Sequence, residues 1–126
     1  MIQTFTIEDE LTDLNTYINA ERSNRFLAAK IKREETNRCA FYARKAQLEP
    51  ITEYPIYIRY TWVIPDRRKD LDNIAFAKKW VQDGLVQAGI IENDGQKQIA
   101  GFVDDFKINK DNPCVIVELS SISTYR

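Results

Sequence analysis

The stretch from Ser23 to about Leu48 contains neither glycine nor proline and is rich in Ala, Lys, Arg and Glu. It reads as one long helix, ended by Pro50. Phe26, Leu27, Ile31, Phe41, Tyr42 and Leu48 mark a partial apolar stripe along it. Pro55–Ile64 comes next. There Ile56, Ile58, Tyr60, Trp62 and Ile64 alternate with Tyr57, Arg59, Thr61 and Val63, the pattern of a strand, which Pro65 then interrupts. Ile2–Ile7 reads as a further strand, and Thr12–Ala20 as a short helix or ordered loop. Ile74–Ala88 is helical in pattern, with Phe76, Trp80, Val81, Leu85 and Ala88 as apolar marks. Asp72 or Asn73 is its cap and Gly89 suits its C′ position. Asn93-Asp94-Gly95 marks a turn. Gln98–Ile108 and Cys114–Ile122 are expected to form an antiparallel hairpin through Asn109–Pro113. The order β-α-β-α-β-β predicts an α+β fold: a small mixed sheet of about four strands with two principal helices.

A chain of 126 residues fits one compact domain, residues 1–126, with no repeat or linker-like tract to divide it. Hydrophobic residues at 44% and charged residues at 29% are those of a folded, soluble protein. No run approaches the roughly 20 apolar residues that span a bilayer, and Met1–Phe5 lacks a signal-peptide pattern, so a cytoplasmic protein is expected. Cys39 and Cys114 are read as two buried free thiols.

The chain has no histidine. That removes a histidine base, Ser-His-Asp and Cys-His chemistry, and imidazole metal ligands. A catalytic metal would be held mainly by oxygen, which selects magnesium, calcium or manganese. The net charge of −1 hides an asymmetry: residues 22–79 carry 14 Lys/Arg against 7 Asp/Glu. That block offers a positive face for phosphates, or an ordinary solvated helix surface.

Chemistry concentrates in Arg67-Arg68-Lys69-Asp70-Leu71-Asp72-Asn73. In extended backbone Asp70 and Asp72 point to one side, with Leu71 turned toward the core. A nearby cation keeps two adjacent carboxylates ionised, and magnesium does so while retaining waters for a phosphate substrate. The same run is also a good helix-capping segment with no further role. An EF-hand loop is excluded by Ile74 and Ala75, where a ligand and a glycine are required. The basic triplet argues against an aspartyl-phosphate phosphatase, and the lack of a Gly-Ser turn against a nucleotidyltransferase. Asp94 alone reads as a turn residue and Lys79 as an exposed helical lysine.

Taken in order, Asp70-Leu71-Asp72-Asn73, Lys79, Asp83-Gly84-Leu85, Ala88-Gly89 and Asn93-Asp94 resemble the RusA-type Holliday junction resolvase family. The resemblance is carried by Arg67–Gln98, about a quarter of the chain, and more loosely by Leu14–Asn19 and the basic helix after it. It implies a RusA-like endonuclease domain and a homodimer that nicks four-way DNA junctions in recombination and repair, of bacterial or phage origin. It implies Mg2+, for which Mn2+ substitutes, held by Asp70, Asp72 and Asp94, with Lys79 assisting cleavage. The segment between Asn73 and Lys79 is about three residues longer than the best-known family pattern, which leaves Lys78 as an alternative. Asn93 stands where the family often has an acid. The expected reaction is attack on a phosphodiester by metal-activated water. Arg67, Arg68 and Lys69 would hold phosphates near the site. Arg22, Arg25 and Lys32, with Lys30 and Arg33, would track a DNA arm by backbone contacts. Two other readings are a junction-binding protein that does not cut, and a flap or single-strand nuclease using the same metal site. Asp94 reaches Asp72 either by chain reversal or across a dimer interface.

Overall fold

The computed structural model describes residues 1–121. Its elements are β1 (Ile2–Glu8), α1 (Leu14–Ser23), α2 (Arg25–Lys45), β2 (Ile56–Ile64), α3 (Leu71–Ala75), α4 (Lys78–Gln87), β3 (Ile99–Ile108) and β4 (Cys114–Ser121). The fold is α+β: a four-stranded mixed sheet in the order β1-β4-β2-β3, with helices covering the face that carries the core. Ile122, the last residue of the expected final strand, lies outside the described residues.

The alternation in β2 specifies its place. Ile56, Ile58, Tyr60, Trp62 and Ile64 are all buried on the helix side, with β4 and β3 on its two flanks. This overturns the expected hairpin. β3 pairs with β2 in parallel, β4 pairs with β2 antiparallel, and β2 lies between them. The most apolar strand takes the position where both ladders are satisfied and both neighbours pack on it. β3, which carries Asp105 and Lys107, takes the edge, where polar side chains stay wet. Asn109–Pro113 crosses the end of β2, and Asn109 N–H donates to Ile64 O at 2.9 Å. The span is two interstrand spacings, about 10 Å, well within the reach of five residues. Parallel strands need a crossover, and α3 with α4 provides it between β2 and β3.

The long helix is shorter than its glycine-free run. Asn24 is extended (φ −165°, ψ 111°), closing α1 and capping α2, where its side chain accepts from Phe26 N–H at 2.8 Å. Ser23 therefore belongs to α1, which Asp13 caps through Thr16 N–H. The Ile74–Ala88 helix also divides. It starts earlier, at Leu71, and tightens at Phe76–Ala77, where three-residue hydrogen bonds run from Ala77 to Ile74 and from Lys79 to Phe76. Tyr17, Phe76 and Trp80 clamp this turn, with ring centroids 5.1–6.0 Å apart.

α4 ends as its sequence predicts. Gly89 adopts φ +76°, with Gly89 N–H on Val86 O and Ile90 N–H on Leu85 O, a Schellman closure. Gly84 lets α4 meet α2: a Cβ there would lie 2.6 Å from Cys39 Cβ and 2.9 Å from Ala40 N. Cys39 is buried, and that burial pushes its thiol pKa up; Cys114 is only half-buried, contrary to expectation. Among the described residues no helix is long and apolar enough to cross a membrane.

Candidate functional site

Asp70 is the last extended residue before α3 (φ −67°, ψ 149°), and Asp72 already lies in the helix's first turn. The side chains therefore do not follow the alternation of extended chain. Leu71 is 54% exposed instead of turned into the core. Together with Phe106 of β3 it separates two shallow grooves. One, of about 490 Å³, is lined by Leu71, Asp72, Ala75, Phe76, Lys78, Asp104 and Phe106. The other, of about 470 Å³, is lined by Arg67, Lys69, Asp70 and their apolar neighbours.

The capping explanation for the acidic pair does not hold. Asp70 occupies the cap position but makes no side-chain cap hydrogen bond, and among the described residues neither Asp70 nor Asp72 joins a hydrogen bond or ion pair through its carboxylate. Asn73 is buried and caps elsewhere: its Oδ1 accepts from Asn15 N–H in the first turn of α1, 2.8 Å away. Two exposed carboxylates flanking Leu71 are thus left without a partner among the described residues.

The two lysines behave differently. Lys79 Nζ lies 3.1 Å from Asp83 one helical turn on, with half its side chain in solvent. Lys78 points into the groove. Its Nζ lies 2.6 Å from Asp104 Oδ2 and 4.0 Å from the Phe102 ring centroid, and the Tyr60 ring is 5.7 Å away. Asp104 Oδ1 accepts from Trp62 Nε1 at 2.9 Å. Asp104 escaped the sequence reading. The available signal was a carboxylate flanked at two-residue spacing by Phe102 and Phe106, on the row of an edge strand that faces the core.

Asp94 is half-buried and its backbone N–H donates to Asn93 Oδ1, but the hydrogen-bonded turn lies just after it, where Gly95 O accepts from Gln98 N–H, rather than at Asn93–Gly95 as the sequence predicts. Burial pushes the Tyr60 phenol up, a hydrogen bond from Gln82 opposes it, and smaller electrostatic contributions from Asp104, then Cys39, then Asp94 add to the rise. Among the described residues, however, no three carboxylates or thiols close on one point as metal ligands do. Asp72 lines one groove, which also holds the Lys78–Asp104 pair, and Asp70 lines the other, which holds Arg67 and Lys69.

The basic residues differ in availability. Lys69 is committed to structure: its Nζ lies 2.9 Å from Asp13 and 3.8 Å from Glu10. Burial would raise the Asp13 carboxyl, but hydrogen bonds from Lys69 and Thr16 outweigh it and hold it below the usual range; the same bond raises Lys69. Arg68 stays largely in solvent, 3.6 Å from Asp66. Arg67 is exposed on the wall of the Asp70 groove. Arg22, Arg25 and Lys32 are exposed around the α1–α2 corner, with the Arg25 guanidinium over the Phe26 ring. No protein-family model matches the chain, and no curated protein matches its sequence.

Proposed function

We propose that this chain is a magnesium-dependent endodeoxyribonuclease that resolves four-way DNA junctions, with Asp70, Asp72 and Asp94 as its acids. The observation that carries the reading is the pair of exposed carboxylates at the start of α3. Neither is used for capping or ion pairing, and both open on grooves that also hold basic side chains. The ordered RusA-like motif supports it, as does the lack of histidine, which leaves carboxylate oxygen as the natural metal donor. A bound Mg2+ would supply charge neutralisation at the phosphate and a lowered pKa for an attacking water. Asp70 and Asp72 would supply oxygen ligands to that ion, and Asp94 would be the third acid, from the same chain or from a second copy in a homodimer. Lys78, fixed in the Asp72 groove, takes the lysine role in preference to Lys79, because its ammonium faces the place where a phosphate would enter. Arg67 and Arg68 hold flanking phosphates, and the α1–α2 corner meets a DNA arm. These are backbone contacts, so junction shape rather than base sequence dominates recognition.

The test is cleavage of a synthetic four-way junction with Mg2+ or Mn2+, alongside flap and single-stranded substrates. Symmetric nicking of the junction, lost in Asp70→Asn, supports the reading; undiminished cutting by that variant overturns it. The separation of the acids within one chain favours a second reading, a junction-binding protein that does not cut. Tight junction binding with no cleavage in either metal would establish that one instead.

A further inference from the structure

Asp104 sits where an apolar residue would do the packing better. In register it faces Tyr60, and its row neighbours on β3 are Phe102 and Phe106, paired with Ile58 and Trp62. Its side chain is 23% exposed and that of Lys78 17%, so both charges are substantially desolvated. An ion pair in such a place is seldom better for stability than well-packed apolar groups. A role beyond packing explains why it is there.

The arrangement around Lys78 suggests that role. One carboxylate oxygen of Asp104 takes the ammonium at 2.6 Å, and the other is held by Trp62 Nε1 at 2.9 Å. The Trp62 side chain is itself buried, so the carboxylate cannot swing. Phe102 and Tyr60 close two sides of the ammonium with their rings. The side left open is the groove that Asp72 lines. An ammonium has three N–H donors, and Asp104 occupies one, leaving others for an anionic oxygen in the groove.

The geometry points to Asp104 as a positioning residue: through its grip on Lys78 and its tether to Trp62, it holds the ammonium facing the phosphate site beside Asp72. The inference rests on the nuclease reading for what the lysine touches, but not for the placement itself. Preorganised charge of this kind contributes because it needs no reorientation during reaction.

The experiment is a double-mutant cycle on junction cleavage with Lys78→Ala, Asp104→Asn and the pair, with Lys79→Ala beside them. Lys78→Ala is expected to lower kcat about a hundredfold and Asp104→Asn about tenfold, with KM moving less than about twofold because binding rests on other contacts. The double variant is expected to be no slower than Lys78→Ala alone, since Asp104 acts through that lysine. Independent, multiplying losses, or a Lys79→Ala loss as large as that of Lys78→Ala, overturn the proposal. The second readout is NMR of the Lys78 ammonium and the Trp62 indole N–H. Slowed ammonium exchange in the wild type, lost in Asp104→Asn together with a shift of the indole, supports the placement; fast exchange in the wild type overturns it. If the wild type cuts no branched DNA, the nuclease reading falls alone, and the NMR measurement still decides for or against the placement.

Discussion

The two halves of one continuous segment, Asp70–Lys78 and Lys79–Gly89, invite comparison. In the second, each notable residue is accounted for by packing. Trp80 is 1% exposed and donates to Thr12 O; Gly84 admits the backbone of α2; Asp83 pairs with Lys79; Gly89 closes the helix with positive φ. In the first, the carboxylates of Asp70 and Asp72 meet no partner among the described residues, Leu71 is exposed, and Lys78 extends toward a carboxylate on the edge strand. A motif that looks uniform along the chain is thus partly scaffold and partly site. Residues whose identity packing does not explain are the ones to test for chemistry.

Substitutions can break that division. Trp80→Ala removes the largest buried group of the scaffold half and is expected to cost about 3–5 kcal/mol, read as a lower midpoint in urea unfolding. A cost under about 1 kcal/mol would mean that α4 is not anchored as described. Asp72→Asn is expected to lower cleavage about a hundredfold, close to 3 kcal/mol in the barrier. Stability is expected to stay within about 1 kcal/mol of the wild type, since only a helix-end charge is lost. Loss of folding instead of activity would move Asp72 into the scaffold. Gly84→Ala forces α2 and α4 apart and is expected to destabilise by about 1–3 kcal/mol while surviving protein retains its kcat; thermal unfolding and initial rates separate the two.

The smallest effect concerns Lys69, which sequence assigns to phosphate and the structure ties to Asp13. The Asp13 carboxyl is depressed, so the pair stabilises above the usual carboxylate value of 3.8, and that contribution is lost as pH falls through the lower, folded value. Lys69 is raised, so its contribution is intact below 10.5 and lost as pH climbs past its folded value. Lys69→Met is therefore expected to be slightly less stable at neutral pH and to converge with the wild type in strong acid. Stability measured across pH checks this, and a difference that persists at low pH would free Lys69 for DNA.

Sequence alone determined the elements whose signals are local. The β2 alternation and the Gly89 helix end depend on residues within a few positions of one another, because hydrogen bonds and backbone sterics act at that range. It also fixed the absence of imidazole and the acidic pair with its basic approach. Only tertiary structure decided that β2 separates β3 from β4, that Asn73 caps a helix 58 residues away, that Lys78 rather than Lys79 enters the groove, and that Asp104 waits there. Those outcomes follow from competition among distant segments for the central place in the sheet and from the tightened turn before α4. Such a competition is settled by the total burial and hydrogen bonding of the whole fold, which no local window of residues contains.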